Sequence, residues 1–142
     1  SIDLNHHGTL FAGRMAEWVV EVGFMTARAV LACGPEHLVC ASLDRLDFSR
    51  RVPKGSTVVI TGKTAHVGRS SVTIHMEACI LDHRDSLARV TGGFATFVHV
   101  HDAAAKAHDL RVEKPTDPIG ASLWDAVLEQ RRITRDASKP GP

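Results

Sequence analysis

Residues 12–33 read AGRMAEWVVEVGFMTARAVLAC, and the rest of the chain is organised around them. Met15, Val19, Val22, Met25, Ala29 and Ala32 recur at steps of three and four, the period of one helix face. Gly34-Pro35 supplies the stop. Apolar residues continue around most of the cylinder, so the segment predicts a long helix buried on most sides. Before it, Ser1 to Gly13 is rich in His, Gly and Asn and reads as a loop punctuated by Gly8 and Gly13.

Beyond the helix the period falls to two. Leu38–Phe48, Thr57–Val67, Ser71–Ile80 and Ala88–His101 each read as a strand. In the third, Val72, Ile74, Met76, Ala78 and Ile80 alternate with Ser71, Thr73, His75, Glu77 and Cys79, which predicts one covered and one more polar face. Pro53-Lys54-Gly55-Ser56 and Gly68-Arg69-Ser70 are turn signals that predict antiparallel neighbours in a meander. The fold class is therefore α+β. The expected organisation is one α+β domain over residues 1–101, a linker over 102–120 marked by Pro115 and Pro118, a C-terminal helix over 121–137, and a disordered tail over 138–142. Leu123, Val127 and Ile133 give that helix its apolar side, and Arg131, Arg132 and Arg135 are expected to be solvated. No internal repeat is present.

The composition narrows the function. At 142 residues and 44% hydrophobic, the chain supplies one core. Seventeen Lys and Arg against 16 Asp and Glu give a net charge of +1, which argues against a nucleic-acid partner. Cys33, Cys40 and Cys79 are odd in number and lack the close pairing of zinc ligands, so reduced thiols and no metal site are expected. Arg14, Glu17, Glu21 and Arg28 interrupt the most apolar stretch, well short of the ~20 uncharged residues of a membrane span. With no signal peptide, a cytoplasmic protein is expected. The chain opens on Ser1 rather than Met, the pattern of a processed or trimmed N-terminus that would leave a first strand incomplete.

Four segments carry a more specific likeness. Asn5-His6-His7-Gly8-Thr9-Leu10-Phe11-Ala12-Gly13 is similar to a helix-entry motif with an Asn, a Gly, a Phe and a Gly-Gly pair, here Ala12-Gly13. Ala41 to Phe48 with the turn Val52-Pro53-Lys54-Gly55, the hairpin Val67-Gly68-Arg69-Ser70-Ser71-Val72, and the strand Ala95-Thr96-Phe97-Val98-His99-Val100 follow in order. Together, over roughly Leu4 to Val100, they resemble the acyl-CoA thioesterases of the hotdog superfamily. The resemblance implies a sheet wrapped around the central helix and hydrolysis of acyl-CoA. Coenzyme A enters as part of the substrate, and no cofactor is required.

Hydrolysis of a thioester needs an activated nucleophile and donors aimed at the developing oxyanion. The free N–H groups at the helix start, near Ala12, Gly13 and Arg14, are such donors. In the resembled family a carboxylate stands seven positions after the second Gly, facing an Asn across a subunit interface. That position is Val20 here, which cannot activate water. Glu21 is the nearest replacement and Glu17, one turn earlier, the next. Asn5 matches the family's Asn, with His6 and His7 beside it. Gly68, Arg69, Ser70 and Ser71 in the hairpin turn, with Lys54 and Arg51 from the preceding turn, are the candidates for coenzyme A phosphates.

The family's shared site further implies a homo-oligomer, a dimer or a trimer of dimers. Two other functions fit the same residues. His7 and Glu21 would suit a hotdog enoyl-CoA hydratase or dehydratase, and Val20 at the acid position would suit a non-catalytic acyl-CoA-binding module.

Overall fold

The computed structural model describes residues 3–10 and 12–139; Ser1, Ile2, Phe11 and the tail residues 140–142 lie outside the described set. The long helix α1 runs Ala12–Leu31. It stops two residues short of Cys33 because Ala32 takes a left-handed conformation (φ 49°) and the Cys33 N–H folds back to the Arg28 carbonyl at 3.3 Å. A short 3-10 turn at Pro35–His37 leads into four long strands, β1 Leu38–Phe48, β2 Val58–Val67, β3 Ser71–Leu81 and β4 Leu87–His101.

All four strands are antiparallel, in the order β1-β4-β3-β2. The expected meander thus holds for β2, β3 and β4 but not for β1, which pairs with β4 instead of β2. The Pro53–Ser56 turn does not return the chain beside β1. Its approach is tied to the N-terminal loop, with the Leu10 N–H on the Val52 carbonyl at 2.9 Å and an isolated bridge from Thr9 to Pro53. The chain is thereby carried to the opposite edge of the sheet. Alternation within a strand records which face is buried, not which strand lies alongside.

α1 packs on the apolar face. Val72, Ile74, Met76 and Ala78 of β3 and Ala95 and Phe97 of β4 join Met15, Val19 and Ala27 in one buried cluster. Burying each large aliphatic or aromatic side chain contributes about 1.5–3 kcal/mol. Close approach is possible because Gly23 has no Cβ; the thioether of Met76 fills that space. Phe24 meets Phe97 edge to face, with centroids 5.9 Å apart.

The more polar face of the sheet carries the second helix, α2, at Pro118–Ala137. It begins three residues before the expected Ala121. Asp117 caps it by accepting the Gly120 N–H at 2.7 Å, and Pro118 sits at the start, where a missing N–H costs nothing. Trp124 packs on the His66 ring of β2, centroids 4.3 Å apart. The segment expected to be a bare linker contains a two-residue strand, β5 Ala104–Ala105, paired with the end of β4. It then runs back over the sheet end, with Leu110 against the core. Of the expected disordered tail, Ser138 donates its N–H to the Thr134 carbonyl at 3.1 Å and so closes α2. No helix among the described residues is long and apolar enough to cross a membrane.

Candidate active site

Residues 13, 17 and 21 follow one another at intervals of four, so α1 places Gly13, Glu17 and Glu21 in a single stripe. The stripe faces away from the core and, with Ala16, Val20 and Leu43 of β1, lines an open pocket of about 430 Å³. A second, apolar pocket of about 500 Å³ continues from Val20 and Glu21 along Phe24, Met25, Cys40 and Phe97. Gly13 lies in the first turn of α1, whose N–H groups have no partner within the helix. The two pockets thus meet at Val20 and Glu21, with the helix start and both carboxylates on the first.

The two carboxylates differ in their surroundings. Arg14 lies 3.0 Å from the Glu17 carboxylate and 2.7 Å from that of Asp3, so Glu17 is engaged in an ion pair. Glu21 has no hydrogen bond or ion pair among the described residues. Both side chains are exposed in the protomer.

Asn5 is placed elsewhere. Its Oδ1 accepts the His7 N–H at 2.9 Å, the Thr9 N–H at 3.3 Å and the Thr9 hydroxyl at 3.2 Å, which folds the N-terminal loop onto itself. Asn5 and His7 line a separate cavity of about 300 Å³ beside Phe48, Arg50 and Arg51. Within one protomer, Asn5 and Glu21 therefore do not share a pocket. The His6 and His7 rings lie 3.9 Å apart on the exposed loop.

The Gly68–Ser71 turn is held by its own backbone, the Gly68 N–H donating to the Ser71 carbonyl at 2.9 Å. A side chain at Gly68 would meet the Ser71 hydroxyl at 2.6 Å. The Ser70 carbonyl accepts the His99 N–H at 2.7 Å and the Arg69 carbonyl accepts the His108 N–H at 3.2 Å. These contacts leave the exposed Arg69 side chain over a cavity of about 560 Å³, shared with Asp109, Leu110 and Arg111. The second guanidinium, Arg111, was hidden in sequence because an aperiodic segment gives no sign of what it folds against.

Lys54 does not join this group. It precedes β2, whereas Gly68 follows it, and ten residues of strand separate the two ends by roughly 30 Å. Ser71 is also only partly available, because its hydroxyl accepts from Arg131 of α2 at 3.3 Å. Among the described residues, no three His, Cys, Asp or Glu side chains converge as metal ligands would.

A profile of the thioesterase superfamily matches residues 7–86, from the N-terminal loop through the end of β3 and so more than half of the sequence. The chain belongs to the thioesterase superfamily. The solved structures agree on the fold, which is the hotdog fold. An apo-hexameric acyl-CoA thioesterase is 25% identical and superposes with a TM-score of 0.82 over 97% of this chain and 88% of its own. The acyl-CoA hydrolase of Staphylococcus aureus, solved with butyryl coenzyme A, coenzyme A and coenzyme A disulfide, is 24% identical, with a TM-score of 0.80 over 96% and 84%. A hexameric hotdog fold thioesterase of Campylobacter jejuni is 25% identical, with a TM-score of 0.63 over 75% and 81%. No curated protein sequence matches this one.

Proposed function

We propose that this member of the thioesterase superfamily hydrolyses acyl-CoA to a free acid and coenzyme A, with Glu21 as the general base. The observation that carries this reading is the Glu21 carboxylate, unpartnered among the described residues, on the same stripe as the Gly13 end of α1. In the step envisaged, Glu21 takes a proton from water as the water oxygen bonds to the thioester carbonyl carbon. The N–H groups of the first helical turn hold the oxyanion. Collapse breaks the C–S bond, the thiolate leaves and takes up a proton, and the acid and coenzyme A thiol are released. The apolar pocket beside Glu21 suits the acyl chain. Arg69, aided by Arg111, suits the phosphates.

The site is completed by a second copy of the chain. Asn5 occupies a different pocket from Glu21 in the protomer, and Leu43 and Met25, which line the two pockets that meet at Glu21, are 45% and 58% exposed. Apolar groups of this size around a polar stripe favour burial in a dimer, alone or within a trimer of dimers. Burial raises the pKa of Cys40 and Cys79, which suits inert thiols in a reducing cytoplasm.

A binding module without turnover is the alternative that a specific observation favours, because Val20 fills the family's acid position. The test is thiol release on short, medium, long and aromatic acyl-CoAs. Hydrolysis of any of them supports the enzyme, and coenzyme A binding without release from all of them supports the module.

A further inference from the structure

The largely apolar groove between α2 and the outer face of the sheet lies on the opposite side of the sheet from α1 and the Glu21 pocket. It has a volume of about 370 Å³, within the range of small-molecule sites, and Phe94, Ala126 and Val127 form apolar walls. At one end the chemistry changes. The Arg131 guanidinium reaches the Ser71 hydroxyl at 3.3 Å and the Thr73 hydroxyl at 3.5 Å, and Thr73 in turn lies 2.9 Å from the Thr96 hydroxyl. Thr73 is only 1% exposed, so the cation reaches a nearly dry floor.

Arg131 is exposed on α2, as expected, but its guanidinium also leans onto the polar face of the sheet. Its neighbour Arg132 is neutralised by Glu129 and Asp136 at 2.6 and 3.1 Å, whereas Arg131 has no carboxylate partner among the described residues. The Arg131 side chain stays open to solvent, and partial desolvation against the sheet lowers its pKa from the usual guanidinium value. Arg135 adds a second cation to the groove, and Asp44 on the β1 wall is the acid opposing them, its Oδ2 accepting the Ser42 hydroxyl at 3.1 Å. The groove therefore carries a net positive charge beside an apolar wall.

We infer that this groove binds a short- to medium-chain aliphatic carboxylic acid, with the carboxylate on Arg131 and Thr73 and the chain along Phe94 and Val127. A carboxylate supplies the charge that Arg131 lacks, and a hydrocarbon covers the walls. The site is distinct from the one assigned to catalysis, and binding there does not depend on turnover. If the chain hydrolyses acyl-CoA, the acid it releases has the chemistry this groove accepts.

The test is calorimetric titration of the full chain with octanoate and with 1-octanol. It uses wild type, Arg131→Gln and Glu21→Gln, with octanoate repeated in saturating coenzyme A. One octanoate per chain is expected, at least about tenfold weaker in Arg131→Gln and unchanged in Glu21→Gln or with coenzyme A present. Octanol, which lacks the charge, is expected to bind wild type at least about tenfold more weakly, an arm that needs no variant to fold. No saturable octanoate binding, equal binding of octanol, full affinity in a folded Arg131→Gln protein, or displacement by coenzyme A would each overturn the assignment.

Discussion

Gly13 and Glu21 stand two helical turns apart on one stripe of α1 and line the same open pocket, with Val20 beside them where a carboxylate would be expected. Eight residues of rise put the two about 12 Å apart along the axis. Side chains on a helix point back toward its N-terminus, so the Glu21 carboxylate reaches toward the Gly13 end. Arg14 withdraws Glu17 from the same task by pairing with it. Glu21 is thus the carboxylate the site leaves uncommitted.

If a second copy completes the site, a charge at the exposed edge should abolish both assembly and turnover. Leu43→Asp places a carboxylate on the pocket wall next to Glu21. Sedimentation velocity should show a folded monomer and thiol release should fall to background. An active monomer would count against a shared site.

Arg69 should act on the phosphates alone. Arg69→Ala should raise KM for acyl-CoA about tenfold, the scale of one or two charge-assisted hydrogen bonds, with kcat little changed. The KM for an acyl-pantetheine, which lacks the phosphates, should not move. Steady-state kinetics on the two substrates separate this from a general loss of structure.

His66 should make the fold acid-sensitive. It is 7% exposed, its Nδ1 has no partner among the described residues, and burial, aided by the Arg131 charge, lowers its pKa from 6.5 to about 4. Between those values the unfolded chain binds more protons than the folded one, so stability falls as the pH drops from 6.5 to about 4. The loss is up to about 3 kcal/mol at about 1.4 kcal/mol per pH unit. Urea unfolding at stepped pH should show this loss in wild type, and His66→Phe, which keeps a ring against Trp124, should lack that component.

Gly93 permits the β1–β4 contact at a bulge. A Cβ there would lie 2.9 Å from the Leu46 Cα and 3.1 Å from its backbone nitrogen, and backbone atoms cannot swing aside as a side-chain tip can. Gly93→Ala should therefore destabilise the fold by about 1–3 kcal/mol, the usual range for overpacking. Thermal unfolding with the Gly68→Ala protein as a comparison should find the smaller loss at Gly68, where the blocking atom is a serine hydroxyl that can rotate.

The helix and the four strands were legible in the sequence because each buries one face, and burial imposes a period. Strand ends were within one residue of expectation for the same reason. The place of β1 beside β4 was not legible, since alternation is blind to the neighbour and the Pro53 turn signal marks a bend without saying where the chain goes next. At the site, Gly13, Glu17 and Glu21 could be grouped in advance because helical spacing is arithmetic. The separation of Lys54 from Arg69 required only the length of β2, but the joining of Arg111 to Arg69 and of Arg131 to Thr73 depends on tertiary packing that no local pattern encodes.

The most direct test of the account is thiol release by Glu21→Gln and Glu17→Gln, each checked for fold and assembly against wild type. The account predicts a loss of roughly 10²- to 10⁴-fold in kcat for Glu21→Gln, the range for removal of a general base, and near-normal turnover for Glu17→Gln. Full activity in a folded Glu21→Gln protein would contradict it.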